Sequence, residues 1–233
     1  FEPVDVTSGI TVIVDVLRAS TTISFALANG AEAVVPCGTV DAALQVRESA
    51  AAGQCLLGGE RGGVKIDGFD LSNSPDDYGR ATVEGMRIGF TTTNGTKALL
   101  RASLADVVMI GTFVNISAMV DRITSNKRSI HIICAGTNGQ VSGEDVLFAG
   151  ALAQRLLDAD GASLSQTDST RIAVDHWQQE RGDDSCEALE VALRRSQGGR
   201  NLIKLGYDRD IKTAAMIDAV ASVGVLGADG MLR

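Results

Sequence analysis

The chain has 233 residues, of which 45% are hydrophobic and 21% are charged, and its formal net charge is −8. This length allows one large or two small domains with a sizeable buried core. The acidic balance, without a basic tract or basic helix, argues against nucleic acid or an anionic membrane as a partner. We also expect neither a signal peptide nor a membrane span, because no apolar run is long enough.

The cysteine pattern points to a reducing compartment. Cys37, Cys55, Cys134 and Cys186 contain no close pair of the kind found in zinc sites or disulfide frameworks. Three of them lie on or at the end of predicted strands, where small buried thiols are common. We therefore expect a cytoplasmic protein.

The first quarter of the chain predicts alternating strands and helices. Residues 10–16 are an almost continuous β-branched run, typical of a strand buried on both faces. Ser20 and Thr21 are placed to cap the helix that follows, and Gly30 to end it. The predicted elements are a strand at 10–16, a helix at 20–29, a strand at 33–36, a helix at 40–52 and a strand at 55–57. This order indicates a parallel sheet covered by helices.

The alternation resumes after residue 75 and then gives way to helices. Predicted are a strand at 87–91, a helix at 96–102, a strand at 107–110, a helix at 116–125, a buried strand at 130–134 and an apolar helix at 144–159. Helices at 172–181 and 186–195 follow, then a loop or short helix at 198–210, and residues 220–226 fit either a strand or a helix tail. We expect a three-layer α/β/α fold with a largely parallel sheet and a helical C-terminal extension. Residues 1–233 form a single domain in this interpretation, in which the helices from about 168 extend the same core or form a subdomain.

The chain is organised around residues 58–75, GGERGGVKIDGFDLSNSP. Glycines let the backbone approach a ligand closely. The charged residues of this stretch are Glu60, Arg61, Lys65, Asp67 and Asp70. Two cations and three carboxylates so close together can bind an anion and a metal, which suits phosphoryl chemistry. The alternative is a polar surface loop with turn glycines.

Three polar turns follow predicted strands at equivalent points. Residues 91–96 and 134–139 both contain Thr-Asn-Gly before a helix, and residues 15–22 occupy the same place in the first unit. Ligands of open α/β sheets bind beyond the carboxyl ends of the strands. We therefore expect these turns to converge with residues 58–75 on one rim. Ordinary capping and turn chemistry is the competing explanation.

Acidic residues at this rim have two interpretations each. Asp15 ends an apolar strand, where a carboxylate is costly unless it is paired or bound to a metal. Arg18 could pair with Asp15 or clamp a phosphate. Glu144 and Asp145 open a helix, where an interaction with the helix dipole competes with a metal role. Mg²⁺ requires only one or two carboxylates in addition to waters and substrate oxygens.

Common phosphate-handling motifs do not match. Walker A requires Gly-Lys-Ser/Thr, but Gly63 is followed by Val64 and Lys65. A cysteine phosphatase loop requires arginine six positions after the nucleophile, where Cys134 is followed by Gln140. Cys134 is therefore interpreted as a packed strand residue.

A family resemblance rests on several segments together: VDVLRASTT, GGERGGVKIDGFDLSNSP, TTTNGT, CAGTNG, SGED and GYDRDI. In combination they resemble the 2-phosphosulfolactate phosphatase family of coenzyme M biosynthesis, over residues 10–211. The resemblance implies a Mg²⁺-dependent phosphoric monoester hydrolase that converts 2-phospho-3-sulfolactate into 3-sulfolactate and phosphate. It also implies a three-layer α/β/α fold.

The resemblance further implies roles for individual residues. The implied metal ligands are Asp15, Glu60, Asp145 and Asp210, of which the first three are also the implied catalytic residues. The implied substrate-binding residues are Arg18, Arg61, Lys65, Thr92, Thr93, Asn94, Gly95, Thr96 and Asn138. Direct attack by water and a phosphoenzyme both stay open, as does the choice of nucleophile and general base.

The expected partner is a small anionic phosphorylated substrate, and a homo-oligomer stays open. A non-catalytic module that senses a phosphorylated metabolite would keep the cations and turns without needing Asp15 or Glu60. A phosphotransferase would need a second acceptor pocket, and no nucleotide-binding motif supports one.

Overall fold

The computed structural model describes residues 8–102, 105–126, 128–160, 166–183 and 185–233. The strands are β1 Ile10–Val14, β2 Ala33–Pro36, β3 Cys55–Arg61, β4 Val64–Lys65, β5 Arg87–Thr91, β6 Val107–Gly111 and β7 Ile130–Cys134. The α-helices are α1 Ala19–Ala28, α2 Val40–Ser49, α3 Arg80–Val83, α4 Gly95–Arg101, α5 Ile116–Thr124, α6 Gly143–Asp160, α7 Asp168–Glu180, α8 Cys186–Arg195, α9 Gln197–Leu205 and α10 Asp208–Ala214.

The strands form two sheets, both built mainly from parallel pairs. In the first sheet the order is β6-β1-β7, and β1 pairs in parallel with both neighbours. In the second the order is β2-β5-β3-β4, with β4 returning antiparallel to β3. The α/β class, the parallel pairing and the helical C-terminus are confirmed, and the strands are divided between two sheets.

Strand β1 is buried on both faces, as its β-branched sequence predicts. Val12 and Val14 pack in one apolar cluster with residues of α6 and α8, whereas Ile13 packs in another with residues of α1 and α4. Helices therefore cover both faces of the first sheet.

The C-terminal helices pack directly on the core of the first sheet. Trp177 in α7 lies with its ring centroid 5.9 Å from that of Phe113, which is 5.3 Å from the ring of Phe148 in α6. Leu202 in α9 and Ile211 in α10 belong to the same buried cluster. The possible subdomain from about 168, with a boundary predicted near residues 160–168, stays a prediction. Residues 161–165 of that boundary lie outside the described residues.

Residues 58–75, the central stretch, were expected to form a loop after the strand at 55–57, but part of this stretch is a hairpin. Strand β3 continues through Arg61, and Gly62 and Gly63 turn the chain into β4 with φ of +60° and +84°. Two positive φ values are what a tight two-residue hairpin requires, and glycine adopts them readily.

Helix α1 starts differently from the prediction. Arg18 occupies its N-cap without a side-chain cap bond. Ser20 and Thr21 lie inside the helix, where the Ser20 hydroxyl accepts from the Asp15 N–H at 2.9 Å and Thr21 donates to the Val16 carbonyl at 2.8 Å. The predicted capping by Ser20 and Thr21 is therefore wrong.

Three other predictions need correction. Strand β7 was predicted to be buried but is half-buried. No strand of the described residues covers its outer edge, whereas the other edge strand, β6, is covered through the bridge between Met109 and Val225. Residues 198–210 contribute to two helices, α9 and α10, and not to a single loop or short helix. Within residues 220–226, which fitted a strand or a helix tail, only isolated bridges form, joining Val225 to Met109 and Leu226 to Leu232. Across the described residues, no helix combines the length and apolar character needed to cross a membrane.

Candidate active site

The polar turns after β1, β5 and β7 meet the β3–β4 hairpin, the start of α6 and one face of α9 around a cavity of about 360 Å³. This volume is within the usual range for a small-molecule site. The predicted residues that line it are Asp15, Arg18, Glu60, Thr93, Asn94, Asn138 and Asp145. The expected convergence of the strand-end turns on one rim is therefore observed. The roles of these residues in binding and catalysis stay predictions.

Two carboxylates of the cavity are held by backbone N–H groups. Asp145 accepts hydrogen bonds from the Val16 N–H at 2.9 Å and from the Gly136 N–H at 3.0 Å, so it joins the ends of β1 and β7. Asp15 accepts from the Ala19 N–H at 3.2 Å. Gly95 permits a close approach here, since a Cβ at this position would lie 2.6 Å from Asp15 Oδ2.

Glu144 has a different environment. It lines the same cavity and is only 2% exposed. Its Oε1 lies so close to Gly198 that a side chain at residue 198 would collide with it. Its Oε2 is buried and has no hydrogen-bond partner in the described protein. A buried carboxylate oxygen without a partner is costly, so this oxygen is available to a water, a cation or another ligand.

The clustering of these acids changes their protonation. Burial, together with the charges of Glu144 and Glu60, raises the pKa of Asp15 to about 7, against the lowering effects of the Ala19 N–H and Arg18. Burial first, then the charges of Asp15 and Glu144, holds the pKa of Asp145 well above its usual range. The cluster therefore favours either bound protons or a bound cation.

Glu60 and Asp210 already have partners on both carboxylate oxygens. Glu60 accepts from the Thr93 N–H and the Gly63 N–H, both at 2.7 Å, and so ties the hairpin to the turn after β5. Asp210 does not line the cavity; it accepts from Arg18 at 2.8 Å and from the Ser74 hydroxyl at 2.6 Å. Both contact patterns are those of residues that hold the loops in place.

Arg18 is fixed from three directions. Besides Asp210, its guanidinium donates to the Gly63 carbonyl at 2.6 Å and stacks 4.3 Å above the centre of the Tyr207 ring. This arrangement uses part of its five N–H donors and directs the side chain along the cavity wall.

In the two Thr-Asn-Gly turns, the asparagines line the cavity, whereas neighbouring threonines bond to the start of a helix. Asn94 and Asn138 line the cavity, and the Asn138 N–H donates to the Asn94 side chain at 3.3 Å. Thr92 and Thr96 bond to each other's backbone N–H at the start of α4, at 3.2 and 3.3 Å. For this pair, the capping explanation describes the observed contacts.

Two predicted cations lie away from the cavity lining. Arg61 donates to the Glu60 carbonyl at 2.7 Å and to the Thr91 hydroxyl at 3.0 Å, while Lys65 is exposed on β4. The remaining predicted residues outside the lining are Thr92, Gly95, Thr96 and Asp210. Their expected roles in binding stay predictions.

A family model described as 2-phosphosulpholactate phosphatase matches residues 2–229. The chain belongs to this family. The resemblance inferred from the separate motifs is thereby confirmed, as is the class of phosphoric monoester hydrolase.

Curated relatives of similar length agree with the family model. A protein of Parasynechococcus marenigrum (strain WH8102) is 38% identical over 99% of this chain and 94% of the relative. One of Synechococcus sp. (strain RCC307) is 40% identical over 95% and 91%. One of Caldanaerobacter subterraneus subsp. tengcongensis is 37% identical over 89% and 83%. Each is named probable 2-phosphosulfolactate phosphatase.

Some polar residues that line the cavity of this family member were not among the predicted site residues. They include Asn73, Asn201 and Lys204, and also Glu144, for which the sequence left a metal role and a helix-dipole role open. Asn73 is 4% exposed and its Oδ1 has no hydrogen-bond partner among the described residues. Its signal was the polar SNSP end of the central stretch. Asn201 and Lys204 belong to α9, whose Gly-Gly start obscured its helical face.

The thiol of Cys134 is not suited to nucleophilic chemistry in this environment. Burial, with the nearby charges of Asp145 and Glu144, raises its pKa far above the ordinary thiol value. A thiolate is the reactive form, so the structure agrees with a packing role.

Proposed function

We propose that the protein is a Mg²⁺-dependent phosphatase that hydrolyses 2-phospho-3-sulfolactate, or a closely related phosphorylated 2-hydroxy acid, to the free hydroxy acid and phosphate. The observation that carries the proposal is the unpartnered, buried Oε2 of Glu144 beside Asp15 and Asp145 in one cavity. Family membership supports the reaction class, and the names of the relatives support the substrate.

The charge balance of the cavity supports a divalent cation. Its ionisable lining consists of four carboxylates and two cations, Arg18 and Lys204. A substrate that carries phosphate, sulfonate and carboxylate would be repelled by such a lining unless a metal ion neutralised it. Among the described residues, no three acidic, histidine or cysteine side chains form a preformed cage. Mg²⁺ does not need one, since it keeps waters and binds through one or two carboxylates and phosphate oxygens.

Glu144, whose Oε2 has no hydrogen-bond partner among the described residues, would hold the Mg²⁺ together with Asp15 or Asp145. When bound, it would polarise the phosphoryl group and offset its negative charge. This set replaces Glu60 and Asp210 of the expected ligands by Glu144. Asp210 does not line the cavity. Glu60 already accepts from three donors, the Gly63 N–H and the N–H and hydroxyl of Thr93.

The remaining residues bind and orient the substrate. Arg18 offers its unused N–H donors to an anionic oxygen, while Asp210 and Tyr207 keep its guanidinium in position. The side chains of Asn94 and Asn138 supply amide donors along the same wall. Positioned donors of this kind lower the barrier by holding the phosphoryl group where attack occurs.

Phosphate release tests this proposal. We expect 2-phospho-3-sulfolactate to be hydrolysed in Mg²⁺, and EDTA to reduce turnover by at least about 100-fold, because several kcal/mol of charge stabilisation are lost. Excess Mg²⁺ should restore the activity. A panel of other phosphorylated 2-hydroxy acids serves as the comparison. Absence of turnover on every ester would contradict the proposal and favour a metabolite-sensing module.

A further inference from the structure

Helix α9 forms a wall of the cavity that the proposed chemistry leaves without a role. Gly198, Asn201 and Lys204 line the cavity at intervals of three residues, so they share one face of the helix. The helix is anchored at both ends of this face. Gly198 packs against the Glu144 carboxylate, and Leu205 packs against the hairpin, since a Cβ on Gly63 would lie 2.5 Å from Leu205 Cδ1.

Lys204 differs from the other cation of the cavity in its charge environment. Arg18 is 3% exposed and its charge is paired with Asp210. Lys204 is exposed and forms no salt bridge in the part of the chain that the structure describes. Within the described residues, no carboxylate therefore offsets the positive charge of Lys204.

The cavity has an acidic inner end and a cationic mouth. Glu144 and Asp145 are each 2% exposed and mark the inner end, whereas Lys204 is exposed and marks the mouth. A phosphoryl group at the inner carboxylates directs the other charged groups of its substrate outward. Planar carboxylates match the fork of Arg18, while the three oxygens of a sulfonate match the compact three-donor ammonium of a lysine.

We propose that Lys204 binds the sulfonate of the substrate and makes the enzyme prefer phosphorylated hydroxy acids that carry this second strong acid. The inference rests on the proposed function and deepens it. Asn201, one helical turn earlier on the same face, offers an amide donor to the same group.

A substrate pair isolates the sulfonate contact: 2-phospho-3-sulfolactate, and 2-phospholactate, in which a hydrogen replaces the sulfonate. We expect Lys204→Met to lower kcat/KM for the sulfonate ester by about 10- to 100-fold, mainly through KM. For 2-phospholactate the change should stay below about 3-fold, the size of a lost exposed charge. Lys204→Arg should keep most of the preference. Lys212 is an exposed lysine of α10 that does not line the cavity, so Lys212→Met should leave kcat/KM unchanged for both substrates.

Binding of the unphosphorylated acids separates this inference from the reaction itself. Measured by calorimetry, Lys204→Met should weaken the binding of 3-sulfolactate more than the binding of lactate. This result is expected whether or not the protein hydrolyses an ester. Weakened 3-sulfolactate binding without any wild-type turnover would support the role of Lys204 and contradict the proposed reaction. The role of Lys204 would be overturned if Lys204→Met changed kcat/KM equally for the two esters or affinity equally for the two acids. It would also be overturned if neither quantity changed.

Discussion

The Asp15→Asn variant is expected to lose phosphate release by at least about 1,000-fold while it stays folded, since a charged group at the reacting centre is removed. Asparagine keeps the size of the side chain and an oxygen for the Ala19 N–H. It removes the negative charge that would help to hold Mg²⁺ beside Glu144 and Asp145. The measurement is phosphate release from 2-phospho-3-sulfolactate at saturating Mg²⁺.

A matched control is Asp67→Asn, because Asp67 is exposed in the central stretch and does not line the cavity. This variant should retain wild-type turnover. Activity of Asp15→Asn within a few-fold of wild type would remove Asp15 from the mechanism.

The Asp15→Asn variant should also be more stable than the wild type when metal is absent. In the folded protein the pKa of Asp15 is raised from 3.8 to about 7 by burial and by the charges of Glu144 and Glu60. The folded state therefore binds the proton more tightly than the unfolded chain, and the Asp15 contribution to stability falls as pH rises through this interval. In EDTA, Asp15→Asn should unfold at a higher temperature than wild type near pH 8, and the difference should shrink towards pH 4. A lower unfolding temperature for the variant at the upper pH would contradict the buried charge.

Glu144→Gln is expected to cost at least about 100-fold in turnover and to weaken Mg²⁺ binding by a similar factor, since the proposed metal ligand loses its charge. Glutamine fits the space beside Gly198, so the substitution changes charge more than shape. The measurements are a calorimetric Mg²⁺ titration and phosphate release.

Glu187 provides a control that separates this role from helix capping. It lies in the first turn of α8, as Glu144 does in α6, but it is exposed and does not line the cavity. If Glu144 served only the helix dipole, Glu144→Gln and Glu187→Gln would both lose only about 0.3–1 kcal/mol of stability. A marked loss of Mg²⁺ affinity in Glu144→Gln alone is the expected result.

Much of the order of strands, helices and polar turns could be predicted, because it follows from patterns within short segments of the sequence. The β-branched run before Asp15 predicts a strand buried on both faces, and parallel strands bring their carboxyl ends to one side. The convergence of Asp15 and Asn138 follows from those two facts. Asn94 follows β5 of the second sheet, so its place in the same cavity depends on how the two sheets lie together.

Other features depend on contacts between distant parts of the chain. Arg18 was an equal candidate for pairing with Asp15, but it pairs with Asp210, which lies 192 residues away. In the sequence, a helix-dipole interaction explains Glu144 at the start of a helix as well as a metal role does. Only its buried oxygen without a hydrogen-bond partner distinguishes the two roles. Lys204 becomes part of the site only because α9 folds as a helix across the cavity mouth.

Crystals grown with Mn²⁺ in place of Mg²⁺ and with orthovanadate as a phosphate analogue test the carboxylate site most directly, because manganese scatters anomalously and accepts the same oxygen ligands. The expected result is an anomalous peak in the cavity that contacts Glu144 together with Asp15 or Asp145, with the vanadate beside it. Manganese bound elsewhere at saturating concentration, with these three carboxylates unliganded, would contradict a metal-dependent phosphatase site at this edge of the sheet.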